Sequence, residues 1–138
     1  MKEKIKLRLQ AITNEHKGPS FRIFCDEKLL DERVDYSEKF YEETFEVDLD
    51  KGAHQVIIEH FGKDPKDTDA QQDLDVAVQL EYLSFNGLKC DPVDLHENYF
   101  HTADWPYPLE SKIKNSLYFG YNGQYRYHFV TPGTAWVL

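Results

Sequence analysis

The sequence predicts an all-β fold: an antiparallel β-sandwich of the jelly-roll kind, formed as a single domain over residues 1–138. Three observations carry this expectation. Apolar and polar residues alternate at period two along much of the chain, and the 3.6-residue period of an amphipathic helix hardly occurs. Nine Tyr and nine Phe supply most of a 14% aromatic content, and these side chains suit pleated surfaces. Turn-forming residues punctuate the apolar runs at short intervals, which gives about eight short strands.

The elements follow in order. From Lys4 to Ile12 the alternation is strict, with Ile5, Leu7, Leu9 and Ala11 on one face and Lys4, Lys6, Arg8 and Gln10 on the other. That is a half-buried strand. Gly18 and Pro19 end it. Phe21 to Cys25 reads as a short strand, Asp26-Glu27 as a tight turn, and Lys28 to Val34 as the return. Phe45, Val47 and Leu49 alternate with Thr44, Glu46 and Asp48, and Asp50-Lys51-Gly52 turns the chain. Gln55 to Phe61 holds Val56, Ile57 and Ile58 in a row, as expected where both faces of a strand are covered. Further on, Leu74, Val76, Val78, Leu80 and Tyr82 share one phase, while Leu83 and Phe85 occupy the other. A bulge near Tyr82 reconciles them. Asn86-Gly87 closes that strand. The stretch CDPVDLHENYFHTADWPYPLES is irregular, with room for one helical turn near Pro92 to Asn98. Leu117 to Tyr121, Asn122-Gly123 and Gln124 to Val130 read as a hairpin, because Asn-Gly favours the type I′ turn. The chain closes on an apolar run from Ala135 to Leu138.

A formal net charge of −9 repels phosphate backbones and anionic lipid, so nucleic acid and membrane partners are disfavoured. The same field suits cations or neutral ligands such as glycans. Cys25 and Cys90 make neither a disulfide framework nor a zinc site, and two reduced, buried thiols are expected. MKEKIKLRLQ contains no uninterrupted apolar stretch, so no signal peptide is expected and synthesis is placed in the cytoplasm. No stretch approaches the roughly 20 apolar residues that a membrane-spanning helix needs.

Between two strand-like segments lie Asp64, Asp67, Asp69, Asp73 and Asp75. Calcium takes six to eight oxygen ligands, and carboxylates clustered on a loop supply them. An EF-hand does not fit: with Asp64 first, Lys66 and Asp69 fall where that loop needs an oxygen ligand and a glycine. Asp64, Asp67, Asp73 and Asp75 are therefore candidate ligands of a calcium loop of another kind. The competing reading is a solvated loop capping a sheet edge, with Asp as a turn former. Glycosidase chemistry needs two carboxylates facing a substrate from fixed elements, whereas these share one loop with Lys63 and Lys66.

The arrangement of Gly52, His54, Val56, Ile58 and Phe61, then Asp64, then Asp73-Leu74 with Val76 and the closing Asn86-Gly87, resembles calcium-dependent xylan-binding carbohydrate-binding modules. It is also similar to small β-sandwich proteins of T4-like tailed phages, including cyanophages. Those share a segment matching Asp31 to His54, the aromatic Tyr121–Tyr125 stretch and the Pro132–Leu138 ending. The resemblance covers residues 21–138 through short motifs. It implies a carbohydrate-binding-module-like sandwich, with calcium ligands on Asp64 and Asp73 and backbone carbonyls supplying the rest. The chain departs from the pattern in entering the loop with Lys63-Asp64 and leaving it with Asp73-Leu74-Asp75.

Sugars are bound by aromatic faces, with polar groups fixing the hydroxyls. Trp105, Tyr107, Tyr121, Tyr125, Tyr127 and Trp136 are the candidates for a glycan or partner contact. Trp105 and Tyr107 alternate with two prolines that stiffen their loop, although both rings would also serve to plug one end of the sandwich. Trp136 lies in the terminal apolar run and suits the core or a subunit interface. His54 and His60 share a face of one strand, and His54 suits a structural hydrogen bond; His96 and His101 lie in the irregular stretch. No nucleophile elbow, activated cysteine or phosphate-cradling glycine loop is present, so no catalytic residue and no enzymatic activity are expected. Two functions follow. One is a structural or accessory virion protein of a tailed phage, located in the virion and contacting other virion proteins or itself as a homo-oligomer. The other is a calcium-dependent glycan-binding module for host-surface or plant polysaccharide; outside a virion the expected location is the cytoplasm.

Overall fold

The computed structural model describes residues 1–95, 99–101, 112–113 and 117–131. In chain order the strands are β1 (Lys2–Ile12), β2 (Ser20–Cys25), β3 (Lys28–Arg33), β4 (Phe40–Asp48), β5 (Gly52–Phe61), β6 (Ala77–Phe85), β7 (Leu88–Lys89), β8 (Tyr99–His101), β9 (Lys112–Ile113), β10 (Tyr118–Phe119) and β11 (Gly123–Thr131). A 3₁₀ turn covers Pro65–Asp67, and a single helical turn, α1, covers Pro92–Leu95, inside the window expected for it. One sheet runs β10-β6-β1-β4, with β7 also on β6; the other runs β3-β2-β5-β11-β8-β9. The all-β sandwich is the observed architecture.

The alternation of β1 explains its place. Ile5, Leu7 and Leu9 are fully buried, and each contributes about 2 kcal/mol of hydrophobic stabilisation. On the outer face Lys6 and Arg8 meet Glu42 of β4 at 3.0 and 3.5 Å. β5 is covered on both sides, since Val56, Ile57 and Ile58 are all buried. The phase change in β6 is a bulge: pairing passes from Arg8 with Tyr82 to Leu9 with Leu80, which leaves Glu81 unpaired. That extra residue lets Leu80 and Leu83 both reach the core. Phe85 packs on Phe129 with ring centroids 4.4 Å apart, and Phe119 stacks on Tyr125 at 5.1 Å. At the β2–β4 side Phe21 meets Tyr41 edge to face. Cys25 and Cys90 are free and buried, and burial raises both thiol pKa values to about 11.

The expected hairpin from Leu117 to Val130 is not formed. Tyr118 and Phe119 pair with β6, whereas β11 pairs with β5 and β8 in the other sheet. Neither Asn122 nor Gly123 has the positive φ that a type I′ turn requires. The Asn122 side chain instead exchanges two hydrogen bonds with the Lys63 backbone: Lys63 N–H donates to Oδ1 and Nδ2 donates to the Lys63 carbonyl, both at 3.0 Å. The chain thus crosses between sheets at a corner built around Lys63.

Candidate functional site: the acidic corner and the edge cleft

Gly62, at φ +74°, turns the chain out of β5 into the acidic segment. Asp67 ends the 3₁₀ turn and is 6% exposed. Its Oδ2 accepts from the Asp64 N–H and from Lys17 Nζ, both at 2.8 Å. Lys17 Nζ also donates to the Gly62 carbonyl at 2.7 Å. Asp75 is more heavily used. Its Oδ1 accepts from Lys63 Nζ at 2.6 Å, Thr68 Oγ1 at 2.7 Å and the Val76 N–H at 2.8 Å, while Oδ2 accepts from the Tyr118 hydroxyl. Lys63 Nζ donates further to the Gly120 carbonyl at 2.6 Å, and its side chain is 2% exposed.

Burial pushes the pKa of Asp75 up, but hydrogen bonds from Lys63, Tyr118 and Thr68 outweigh it and hold the carboxyl below its ordinary 3.8. Asp67 is likewise pushed up by burial and brought below its ordinary value by Lys17 and the Asp64 N–H. Asp69 is a turn former: Oδ1 accepts from the Gln71 and Gln72 N–H groups, at 3.1 and 3.3 Å. Asp73 sits in the left-handed region at φ +56° and is exposed, as is Asp64. The corner therefore brings Asp64 and Asp67 onto Lys17, and Asp75 onto Lys63, with Asp73 outside both arrangements.

Of the aromatic candidates, Tyr125 is corrected. It is fully buried, with its ring on Phe119 and its hydroxyl donating to the Leu95 carbonyl at 2.7 Å, so it offers no face to a sugar. Tyr127 is corrected likewise, since it lies buried in the core. Tyr121 is half-buried beside the corner. Trp105, Tyr107 and Trp136 lie outside the described residues, as do His96 and the segment 96–98. His54 is a structural hydrogen bonder, 2.7 Å from both the Asp26 carboxylate and the Asp50 carbonyl.

A concave feature outside the acidic loop lies where β3 and β4, the edge strands of the two sheets, approach one another. It is a cleft of about 510 Å³ whose lining includes Arg33, Tyr36, Glu38, Phe40, Tyr41 and Glu43. Gly18 makes it possible, because a Cβ there would lie 1.9 Å from the Tyr36 carbonyl oxygen. The approach is fixed by the Gly18 N–H on Asp35 Oδ1 at 2.7 Å and the Asp35 N–H on Ser20 Oγ at 3.0 Å. Tyr36 packs edge-on against Phe21 and Tyr41 and donates its hydroxyl to the Phe40 carbonyl at 2.9 Å. Tyr41 donates to Asp31, and burial together with that carboxylate raises its pKa well above the usual value. Phe40 remains 37% exposed. A neighbouring hollow of about 320 Å³ shares Asp35 and Ser37 with the cleft and reaches Lys17. The signal for this site is the contiguous segment Tyr36 to Glu43, where aromatic and acidic residues mix from the end of the β3–β4 connection into β4.

No family model matches the chain, and no curated protein does. Two solved structures share its fold. One is vCBM60 in complex with galactobiose, at 12% identity and a TM-score of 0.58 over 90% of this chain and 96% of that one. The other is a selenomethionine form of vCBM60, described as one of two families of calcium-dependent carbohydrate-binding modules linked by circular permutation. It is 14% identical, with a TM-score of 0.55 over 91% of this chain and 89% of that one. A calcium ion needs six to eight oxygen ligands. Here the two most enclosed acidic-loop carboxylates are held by ammonium groups, and among the described residues no three Asp, Glu, His or Cys side chains converge to hold a metal. Asp67 and Asp75 are thus engaged by lysines rather than left open to a cation.

Proposed function

We propose that this chain is a non-catalytic glycan-binding domain. The observation that carries the reading is its likeness, over nine-tenths of its length, to vCBM60, which was solved with galactobiose. The edge cleft supports it chemically. Sugars offer apolar ring faces and a rim of hydroxyls. Tyr36 and Phe40 supply apolar surface, Glu38 and Glu43 supply acceptors for hydroxyl protons, and Arg33 supplies donors. A neutral ligand is compatible with a net charge of −9. The enclosed carboxylates of the corner are engaged by lysines rather than opposed across a substrate-sized gap, which favours binding over hydrolysis.

The test is a glycan array spanning galactose- and xylose-based oligosaccharides, followed by calorimetry on the hits. Phe40→Ala is expected to weaken binding about tenfold, the scale of one lost aromatic contact. Val130→Ala, an exposed residue on β11, leaves it unchanged. Absence of any glycan hit, or equal losses in both variants, removes the reading. A tailed-phage virion as the setting belongs to the same proposal and rests on the sequence resemblance; mass spectrometry of purified particles tests it.

A further inference from the structure

A fold shared with calcium-dependent modules here carries an acidic corner closed by the chain's own cations. We propose that Lys63 and Lys17 take the place of a divalent cation in this chain, so that the segment from Gly62 to Val76 is held without metal.

The oxygen types are those that calcium gathers, carboxylate and backbone carbonyl. Lys63 Nζ bridges Asp75 Oδ1 and the Gly120 carbonyl, both at 2.6 Å. It thereby ties the exit of β5 to the entry of β6 and to the residue after β10. Lys17 Nζ bridges Asp67 Oδ2 at 2.8 Å and the Gly62 carbonyl at 2.7 Å, which ties the β1–β2 connection to the same segment. Two ammonium groups bring the same total charge as one divalent ion against the carboxylates of Asp67 and Asp75. Lysine is almost never as buried as Lys63 unless it is paired. The built-in cations also exclude the ion they replace. A divalent ion ligated by Asp75 Oδ1 would sit a few ångströms from the Lys63 ammonium, where like charges repel strongly in a partly buried site. His60, buried alongside, stays neutral, partly because the Lys63 charge is already there.

The inference stands apart from glycan binding, and its readouts use no sugar. Backbone amide shifts of residues 62–76 and the thermal midpoint are measured on the wild-type chain in chelator and in millimolar calcium. Both are expected to be unchanged. A ligand that binds only the native state raises the midpoint, so a calcium-dependent rise, or shift changes confined to that segment, overturns the proposal. In Lys63→Met the amides of the same segment are expected to lose hydrogen-exchange protection while the β1 amides keep theirs. Wild-type protection in that variant also overturns the proposal. If Lys63→Met fails to fold, the wild-type comparison decides alone.

Discussion

β5 carries a histidine near each end, and its surroundings treat the two in opposite ways. At the start of the strand, His54 places Nδ1 2.7 Å from the Asp26 carboxylate and Nε2 2.7 Å from the Asp50 carbonyl. Both partners accept hydrogen bonds, so both ring nitrogens donate only in the imidazolium. The Asp50 carbonyl and the Asp26 carboxylate raise its pKa above the usual 6.5. His60, on the same face, is 1% exposed. Its Nδ1 lies 2.8 Å from the Phe119 carbonyl, and its Nε2 has no hydrogen-bond partner among the described residues. Burial, reinforced by the Lys63 ammonium, lowers its pKa to about 4. The contrast shows what a strand end accepts. One end gathers acceptors and takes a charge from histidine. The other is buried and already holds a lysine, so the histidine beside it stays neutral.

The strongest way to break this contrast is to remove the lysine. Lys63→Met strips the ammonium from a pair whose lysine side is 2% exposed and whose carboxylate is 25% exposed. The expected loss is about 3 kcal/mol, read from urea unfolding, because the Asp75 charge stays behind with hydrogen bonds but no counter-ion. Lys17→Met, with a 28% exposed side chain, is expected to cost less. A change within about 0.5 kcal/mol for Lys63→Met, the scale of an ordinary surface substitution, would show that the pair does not hold the corner.

Acid is the next lever. His60 has a folded pKa near 4 against an ordinary 6.5. Between these values the unfolded chain binds the proton and the native chain does not, so stability falls as pH drops from about 6.5 to about 4. The difference amounts to about 3 kcal/mol over the whole window. Asp75 and Asp67 act in the same direction lower down. Their depressed pKa values give stability above the ordinary 3.8 that is lost as pH falls through the folded values. His54 works in reverse: its contribution is complete below 6.5 and is lost as pH rises through its raised folded pKa. Urea midpoints measured against pH should therefore show an acid limb that becomes shallower in His60→Gln. An unchanged slope in that variant would assign the limb to the carboxylates alone.

Much of the fold was legible because period-two alternation is a local property. Ile5, Leu7 and Leu9 announce their face without reference to any partner, and the β6 bulge is visible as a phase slip between Leu80 and Leu83. The expected hairpin does not form because a distant contact, the Asn122 amide on the Lys63 backbone, overrides the strong local preference of Asn-Gly. The acidic loop was legible as five carboxylates but not as a site. Lys63 looked like one more solvated charge, and nothing in its neighbours signals burial. Lys17 reaches Asp67 from 50 positions away, which no spacing rule captures. The cleft was hidden for a related reason: its residues lie in one stretch, but its shape depends on Gly18 meeting Tyr36.

The smallest change sharpens the contrast most. Asp26 has φ +53°, and its Oδ1 accepts from the Gln55 N–H at 2.9 Å while Oδ2 faces His54. Asn tolerates the same left-handed backbone and keeps an oxygen for the Gln55 N–H, so Asp26→Asn removes the charge with little strain. The expected cost in stability is under about 1 kcal/mol, since both partners lie near solvent. The informative readout is the NMR titration of the two histidine rings. The His54 pKa should fall toward its ordinary value, because the Asp26 charge is gone and only Asp50, through its carbonyl and its carboxylate, still favours the imidazolium. The His60 pKa should not move, because burial, Lys63, Asp75 and the Phe119 and Tyr121 backbone set it at the other end of the strand. If His54 keeps its raised pKa, Asp50 alone sets it. If His60 moves as well, the two ends of β5 are electrostatically coupled and the contrast drawn from them fails.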